Sequence, residues 1–128
     1  MADTEKVTIN MSVVDLGQVD LLVEEGFYSS RTDFIRTAIR NLLNQQSEEV
    51  KQSITRQTMA IGAVGYNRVE LERRQQNGEM VEVRVVGVFA LAPDVTPELA
   101  RATIQSIKVM GVFRASDEVK AALADRIH

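Results

Sequence analysis

The chain of 128 residues lacks cysteine and has a single histidine, His128. The missing cysteines exclude disulfides, thiolate metal sites and cysteine nucleophiles. One histidine excludes a histidine-rich metal cage and a histidine-based catalytic triad, so we expect neither a metal nor a cofactor. No apolar run approaches the roughly 20 residues that span a bilayer, and the N-terminus lacks the pattern of a secretory signal. These absences predict a cytoplasmic protein without membrane contact.

A strong positive charge is also missing, because the net charge is −3. Residues 1–50 carry four basic and nine acidic side chains, a net charge of −5, whereas residues 51–128 carry eleven basic and nine acidic ones, a net charge of +2. A strongly basic total would by itself indicate nucleic-acid binding. Any such function must therefore rest on where particular residues lie. The 45% apolar content is that of a globular protein, and the length suits one domain or two small modules.

The first patterned segment is residues 6–11, where apolar and polar side chains alternate. This period of two predicts a short strand with one apolar face. The apolar side chains are Val7, Ile9 and Met11. The opposite face carries Lys6, Thr8 and Asn10.

Two helix start signals follow. Ser12 with Asp15 three residues later predicts a helix from about residue 13 to residue 25, and Gly26 suits the turn after its end. Ser30 with Asp33 repeats the signal and opens an amphipathic helix that ends near residue 45. Residues 46–57 are polar at their start and are predicted to be a linker or a helix extension.

A strand and two helices in about 45 residues bury too little surface to be stable alone. The strand would also leave both of its backbone edges unpaired. Both problems are solved if two chains pair their strands antiparallel and interdigitate their helices. The apolar strand face then packs on the helices, and the polar face is left exposed.

Residues 5–45 resemble the ribbon-helix-helix DNA-binding proteins (Arc/MetJ/CopG type) in their alternating strand, the glycine after the first helix and the capped second helix. The resemblance implies a homodimer whose antiparallel ribbon enters the major groove of double-stranded DNA, which a two-stranded ribbon fits. It implies base contacts from Lys6, Thr8 and Asn10. It also implies that the start of the second helix holds a DNA phosphate, an anion that helix N-termini favour. The residues there are Ser30, Arg31 and Thr32.

The C-terminal part contains an internal repeat. Residues 83–89 match residues 107–113 with Gly87 and Gly111 24 positions apart, which predicts units of a buried strand and a short helix. The match extends through two further apolar pairs, Val95 with Val119 and Leu99 with Leu123. A weaker copy is residues 59–65, with a helix over residues 69–76; the alternative there is a hairpin at Asn77-Gly78. The two glycines lie outside any glycine-rich phosphate motif, so close packing of strands explains them better.

The sequence thus predicts an α+β protein with three parts: a ribbon-helix-helix DNA-binding and dimerisation domain (1–45), a linker or helix extension (46–57) and a short solenoid-like β-α repeat module (58–128). We expect a non-enzymatic, nucleoid-associated transcriptional regulator of the bacterial repressor type. The repeat module would join homodimers into higher oligomers or bind another protein. The alternatives are an antitoxin whose C-terminal module binds a toxin and a self-assembling scaffold protein.

Overall fold

The computed structural model describes residues 4–128 and divides them into two compact units, residues 4–52 and residues 53–128. Over these residues the chain forms six α-helices, a three-stranded sheet and a short 3₁₀ turn. The fold is therefore mixed α and β, as the sequence predicts. None of the helices in residues 4–128 combines the length and the apolar character that a membrane crossing needs.

The first unit contains helices α1 (Val13–Glu24) and α2 (Arg31–Gln45) and the start of α3 (Ser47–Gln57). Both predicted caps form, because Ser12 Oγ accepts from the Asp15 N–H and Ser30 Oγ accepts from the Asp33 N–H at 3.0 Å. Gly26 takes a left-handed conformation with φ +87°, which confirms its predicted place after the first helix. Residues 47–57 are helical.

Residues 4–12 belong to no helix or strand in the single chain. A strand is defined by backbone hydrogen bonds to a neighbour, and the predicted neighbour of residues 6–11 is the same segment of a second copy. The ribbon therefore stays a prediction.

The second unit repeats a strand followed by a helix three times. Its elements are β1 (Ala60–Tyr66), α4 (Arg68–Gln76), β2 (Val81–Leu91), α5 (Pro97–Thr103), β3 (Ile104–Arg114) and α6 (Asp117–Ala122), followed by a 3₁₀ turn at Ala124–Arg126. The strands are all parallel and lie in the order β1-β2-β3. The weaker copy of the repeat is thus a real strand. The helix predicted before Asn77 is also present, and the alternative hairpin is not. An Asn67–Glu70 capping box opens this helix.

One face of this sheet packs against the helices and forms the core with them. The apolar pairs predicted from the repeat, Val95 with Val119 and Leu99 with Leu123, are all buried there. Phe89 stacks on Phe113 with ring centroids 5.4 Å apart. The buried core comprises Leu71, Val81, Val83, Val85, Phe89, Leu91, Val95, Leu99, Ala100, Ile104, Ile107, Val119 and Leu123.

The opposite face of the sheet is open in the single chain. Ile61, Val86 and Met110 lie side by side on it, and Ile61 and Met110 are 70% and 50% exposed. Parallel strands are usually covered on both faces, and the single chain covers these strands on one face. The reason is that the three helices that follow the strands all bury their apolar residues in the same core.

Three glycines form a row across the sheet, because Gly62 pairs with Gly87 and Gly87 pairs with Gly111. Their φ angles are +121°, +135° and +126°, values that side chains disfavour. A Cβ placed on Gly87 would lie 2.1 Å from the carbonyl oxygen of Gly62, and one on Gly111 would lie 2.1 Å from that of Gly87. The row confirms the prediction that the repeat glycines allow strands to approach closely.

Candidate nucleic-acid interface

The three side chains predicted to contact bases lie before α1. Lys6, Thr8 and Asn10 are all exposed, and so are the apolar residues between them. Val7 and Ile9 are 79% and 63% exposed. A segment whose apolar and polar side chains are both in solvent has no buried face in the single chain.

The rest of the first unit shows the same lack of a core. Among its described residues, only Val19 of α1 is buried. Large apolar side chains remain in solvent along both helices and the turn between them. They are Val13, Val14, Leu21, Phe27, Ile39, Leu42 and Leu43.

A shallow groove of about 420 Å³ runs along α2. Ile39 and Leu43 form its apolar part, and Arg36 and Arg40 lie beside them. The two arginines thus lie at the border of the exposed apolar surface of α2.

The start of α2 is an ordered helix N-terminus. The Asp33 carboxylate accepts hydrogen bonds from the backbone N–H and the hydroxyl of Ser29, at 2.9 and 3.2 Å. Ser30 caps the helix, and the N–H groups of Arg31 and Thr32 precede its regular hydrogen bonding. These N–H groups can receive an anion, but the Asp33 carboxylate beside them reduces the attraction.

The Arg31 side chain is bonded to Asp20 of α1 by two hydrogen bonds of 2.7 Å. This hydrogen-bonded pairing lowers the pKa of Asp20 from its ordinary value and raises the pKa of Arg31. The guanidinium is therefore engaged within the chain, in a solvent-exposed ion pair that links α2 to α1. The sequence gives no signal for the pair, because the partners are 11 residues apart across a turn.

The second unit contains a group of functional candidates that the sequence analysis did not identify. Arg56, Arg84 and Lys108 line one cleft on the open side of the sheet. The sequence does contain a signal for two of them. Arg84 and Lys108 are one repeat length of 24 residues apart, so they lie at paired positions of β2 and β3. Within residues 4–128 no cluster of acidic or histidine side chains is arranged to hold a metal ion.

Comparison with known proteins agrees with the resemblance found in residues 5–45. A model described as the Ribbon-Helix-Helix transcriptional regulator family matches residues 2–120. "Uncharacterized protein MJ1679" of Methanocaldococcus jannaschii is 35% identical over 49 residues, which cover 38% of this chain and half the length of that relative. No solved structure matches the chain. Because the family match includes most of both units, the chain belongs to the ribbon-helix-helix transcriptional regulator family, whose members bind DNA, dimerise and are typically not enzymes.

Proposed function

We propose that the protein is a sequence-specific transcriptional regulator that acts as a homodimer. Residues 6–11 of two copies pair as an antiparallel ribbon, which enters the major groove of double-stranded DNA. Binding to DNA would place the protein at the nucleoid. The observation that carries the proposal is the exposed apolar surface of residues 4–52, where one described side chain is buried and many large apolar ones are not.

An intertwined dimer would remove this surface from water. In such a dimer Val7 and Ile9 lie under the ribbon, and the apolar residues along α1 and α2 meet those of the second copy. Burying one such side chain contributes roughly 1.5–3 kcal/mol, so several of them supply the stability that the unit lacks alone. The ribbon then presents Lys6, Thr8 and Asn10 of both copies to the bases.

In this proposal the start of α2 positions the dimer on the DNA backbone. The backbone N–H groups of Arg31 and Thr32 donate to a phosphate, and the Ser30 hydroxyl keeps the helix start in shape. The Arg31 guanidinium stays with Asp20 and supports the contact indirectly. The Asp33 carboxylate opposes an anion and weakens this phosphate contact, and the sequence preference comes from the ribbon.

The Asn10→Ala variant tests base reading. The DNA site is first found by footprinting on genomic fragments, and affinities are then measured by fluorescence anisotropy at two salt concentrations. Loss of a base contact costs on the order of 1–3 kcal/mol, so affinity falls about 5- to 150-fold and preference at the contacted base is lost. Asn77→Ala removes the same side chain at the end of α4 and leaves affinity unchanged. Wild-type affinity in the Asn10→Ala dimer would refute the assignment.

We also propose that the second unit joins these dimers into larger assemblies. The open sheet face carries two rows of apolar side chains with matching register. The rows are Ile61, Val86 and Met110, then Ala63, Val88 and Val112. A copy from another dimer is the occupant that fits, because each dimer formed through the first unit carries two such faces and can therefore link to two further dimers.

Sedimentation equilibrium of the full chain tests this pairing. We expect species larger than a dimer for the wild type and dimers for Met110→Glu, which places a charge on the open face. Val69→Glu is the matched control, because Val69 is also exposed but lies on α4, away from the sheet. A dimer for the wild type, or equal dissociation of the two variants, would contradict the pairing.

The folded core of the second unit favours this proposal over the antitoxin alternative. A toxin-binding segment that is disordered alone would lack such a core, whereas this unit buries thirteen apolar residues. The scaffold alternative shares the open sheet face but predicts assembly without sequence-specific DNA binding, so the Asn10→Ala measurements separate the two.

A further inference from the structure

A cleft in the second unit gathers positive charge on the open side of the sheet, near the beginning of β2 and β3. Its volume is about 480 Å³. The end of α3 forms one side of the cleft, and the two strands form its floor. The residues with polar or charged side chains that line it are Arg56, Gln57, Arg84, Ser106, Lys108 and His128.

Two of the cations face each other directly. Arg84 of β2 pairs in register with Lys108 of β3. Both lie on the open face, because their neighbours along the strands, Val83 and Ile107, are buried in the core. Like charges at directly opposite positions of neighbouring strands repel and destabilise a sheet. The repeat has therefore placed an unfavourable charge pair in the middle of this cleft.

The groups that contact these cations are mainly neutral. Lys108 Nζ donates to the side-chain oxygen of Gln57 at 2.5 Å, and Arg84 Nη1 donates to the backbone carbonyl of Gln57 at 3.1 Å. In the ion pairs of residues 4–128, Arg84 pairs with the carboxylate of Glu82 at 3.9 Å. Both side chains are about half exposed. Such a pair neutralises little charge. An anion bound between the two strands would remove the repulsion.

We propose that this cleft is a binding site for a small phosphate-bearing molecule. Arginine presents a planar pair of donors that matches phosphate oxygens, and lysine adds a compact charge. The Ser106 hydroxyl lies in the same lining and can donate to a third oxygen. The volume is that of small-ligand sites, and the polar lining suits an anion better than an apolar ligand. The proposal does not rest on the ribbon.

DNA could supply the same chemistry, because its backbone phosphates would also be attracted to Arg84 and Lys108. We assign the site to a small molecule because the cations line a cleft partly closed by Gln57, whereas backbone contacts normally come from projecting side chains. The experiment therefore has one arm with inorganic phosphate and one with duplex DNA.

The first arm titrates inorganic phosphate into the ¹⁵N-labelled full chain at constant ionic strength, with sodium chloride as the reference anion. We expect saturable shifts at the backbone amides of Arg84, Ser106 and Lys108. Lys108→Gln should weaken binding by about tenfold or more, the usual effect of losing a hydrogen bond to a charged group. Lys120→Gln removes the same charge on α6 and should leave binding unchanged. Arg84→Lys keeps the charge but loses the planar donor pair, and should weaken binding less than Lys108→Gln.

The second arm measures duplex DNA binding by the same variants. Unchanged affinity in Lys108→Gln supports the small-molecule site, whereas a loss as large as that of Asn10→Ala would assign the cleft to DNA and overturn the proposal. Shifts that never saturate, or equal weakening in Lys120→Gln, would also overturn it. Thermal melts of each variant show that it is folded, and phosphate should raise the Tm of the wild type but not that of Lys108→Gln.

Discussion

Replacing Gly87 by alanine should destabilise the second unit more than any change of similar size on its surface. Gly87 has φ +135°, and its added Cβ would lie 2.1 Å from the carbonyl oxygen of Gly62. A contact under 3.0 Å with backbone cannot be relieved by rotating a side chain, so β1 and β2 must move apart. The separation would weaken the hydrogen bonds between these strands.

The magnitude has two parts. Holding a residue other than glycine in this backbone region costs roughly 1–3 kcal/mol. Overpacking adds roughly 1–3 kcal/mol, which gives a total of about 2–6 kcal/mol. Gly62→Ala isolates the first part, because Gly62 has φ +121° but a Cβ there meets nothing within 4 Å. Gly111→Ala should resemble Gly87→Ala, since its Cβ would lie 2.1 Å from the carbonyl oxygen of Gly87.

Urea unfolding followed by circular dichroism gives the free energy of unfolding of the three variants. All are measured as the full chain at one protein concentration, because the stability of a dimer depends on concentration. We expect Gly87→Ala and Gly111→Ala to lose roughly 1–3 kcal/mol more than Gly62→Ala. Equal losses in the three variants would show that close approach of the strands is not what requires glycine, and would refute the reasoning.

Two further predictions concern the first unit. An antiparallel ribbon whose polar face is centred on Thr8 brings the two copies of that residue opposite each other, within the Cα spacing of a disulfide. Thr8→Cys should therefore give a covalent dimer on mild oxidation, whereas Asn77→Cys in the same cysteine-free background should not; equal yields would contradict the ribbon. The pKa of Asp20 is lowered by the Arg31 hydrogen bond, so the pair stabilises the fold above the ordinary pKa of 3.8 and is lost as the pH falls through the lowered value. Carbon NMR should show an Asp20 midpoint below 3.8 that rises in Arg31→Gln but not in Arg36→Gln, and an unchanged midpoint in Arg31→Gln would contradict the assignment.

Local signals in the sequence predict most of the helices and strands. Ser12 and Ser30 mark the helix starts because a cap needs a side-chain oxygen at one fixed position. The 24-residue repeat predicts the strands and also their register. Because the spacing is equal, Gly87 lies opposite Gly111. The same repeat spacing also places Arg84 opposite Lys108, but this pairing follows only if β2 and β3 are neighbours in the sheet.

Features that depend on distant parts of the chain could not be predicted in this way. The Arg31–Asp20 pair requires the angle between two helices, which no local pattern encodes. Which face of the sheet stays open depends on the side on which all three helices pack. The residues on that face do not show it, because apolar side chains such as Ile61 and Met110 also occur in strands that are covered on both faces. The residues that we propose to contact bases alternate with apolar residues in the sequence, but the strand that this alternation predicts would form only with a second molecule.

The glycine row also determines which strands can be added to the sheet. Each carbonyl oxygen in the row occupies the space that a side chain of the next strand would need. A strand that extends the row beside β3 must therefore bring a glycine opposite Gly111. Most foreign segments lack a glycine at that place, so this edge resists the unspecific strand addition by which exposed sheets aggregate.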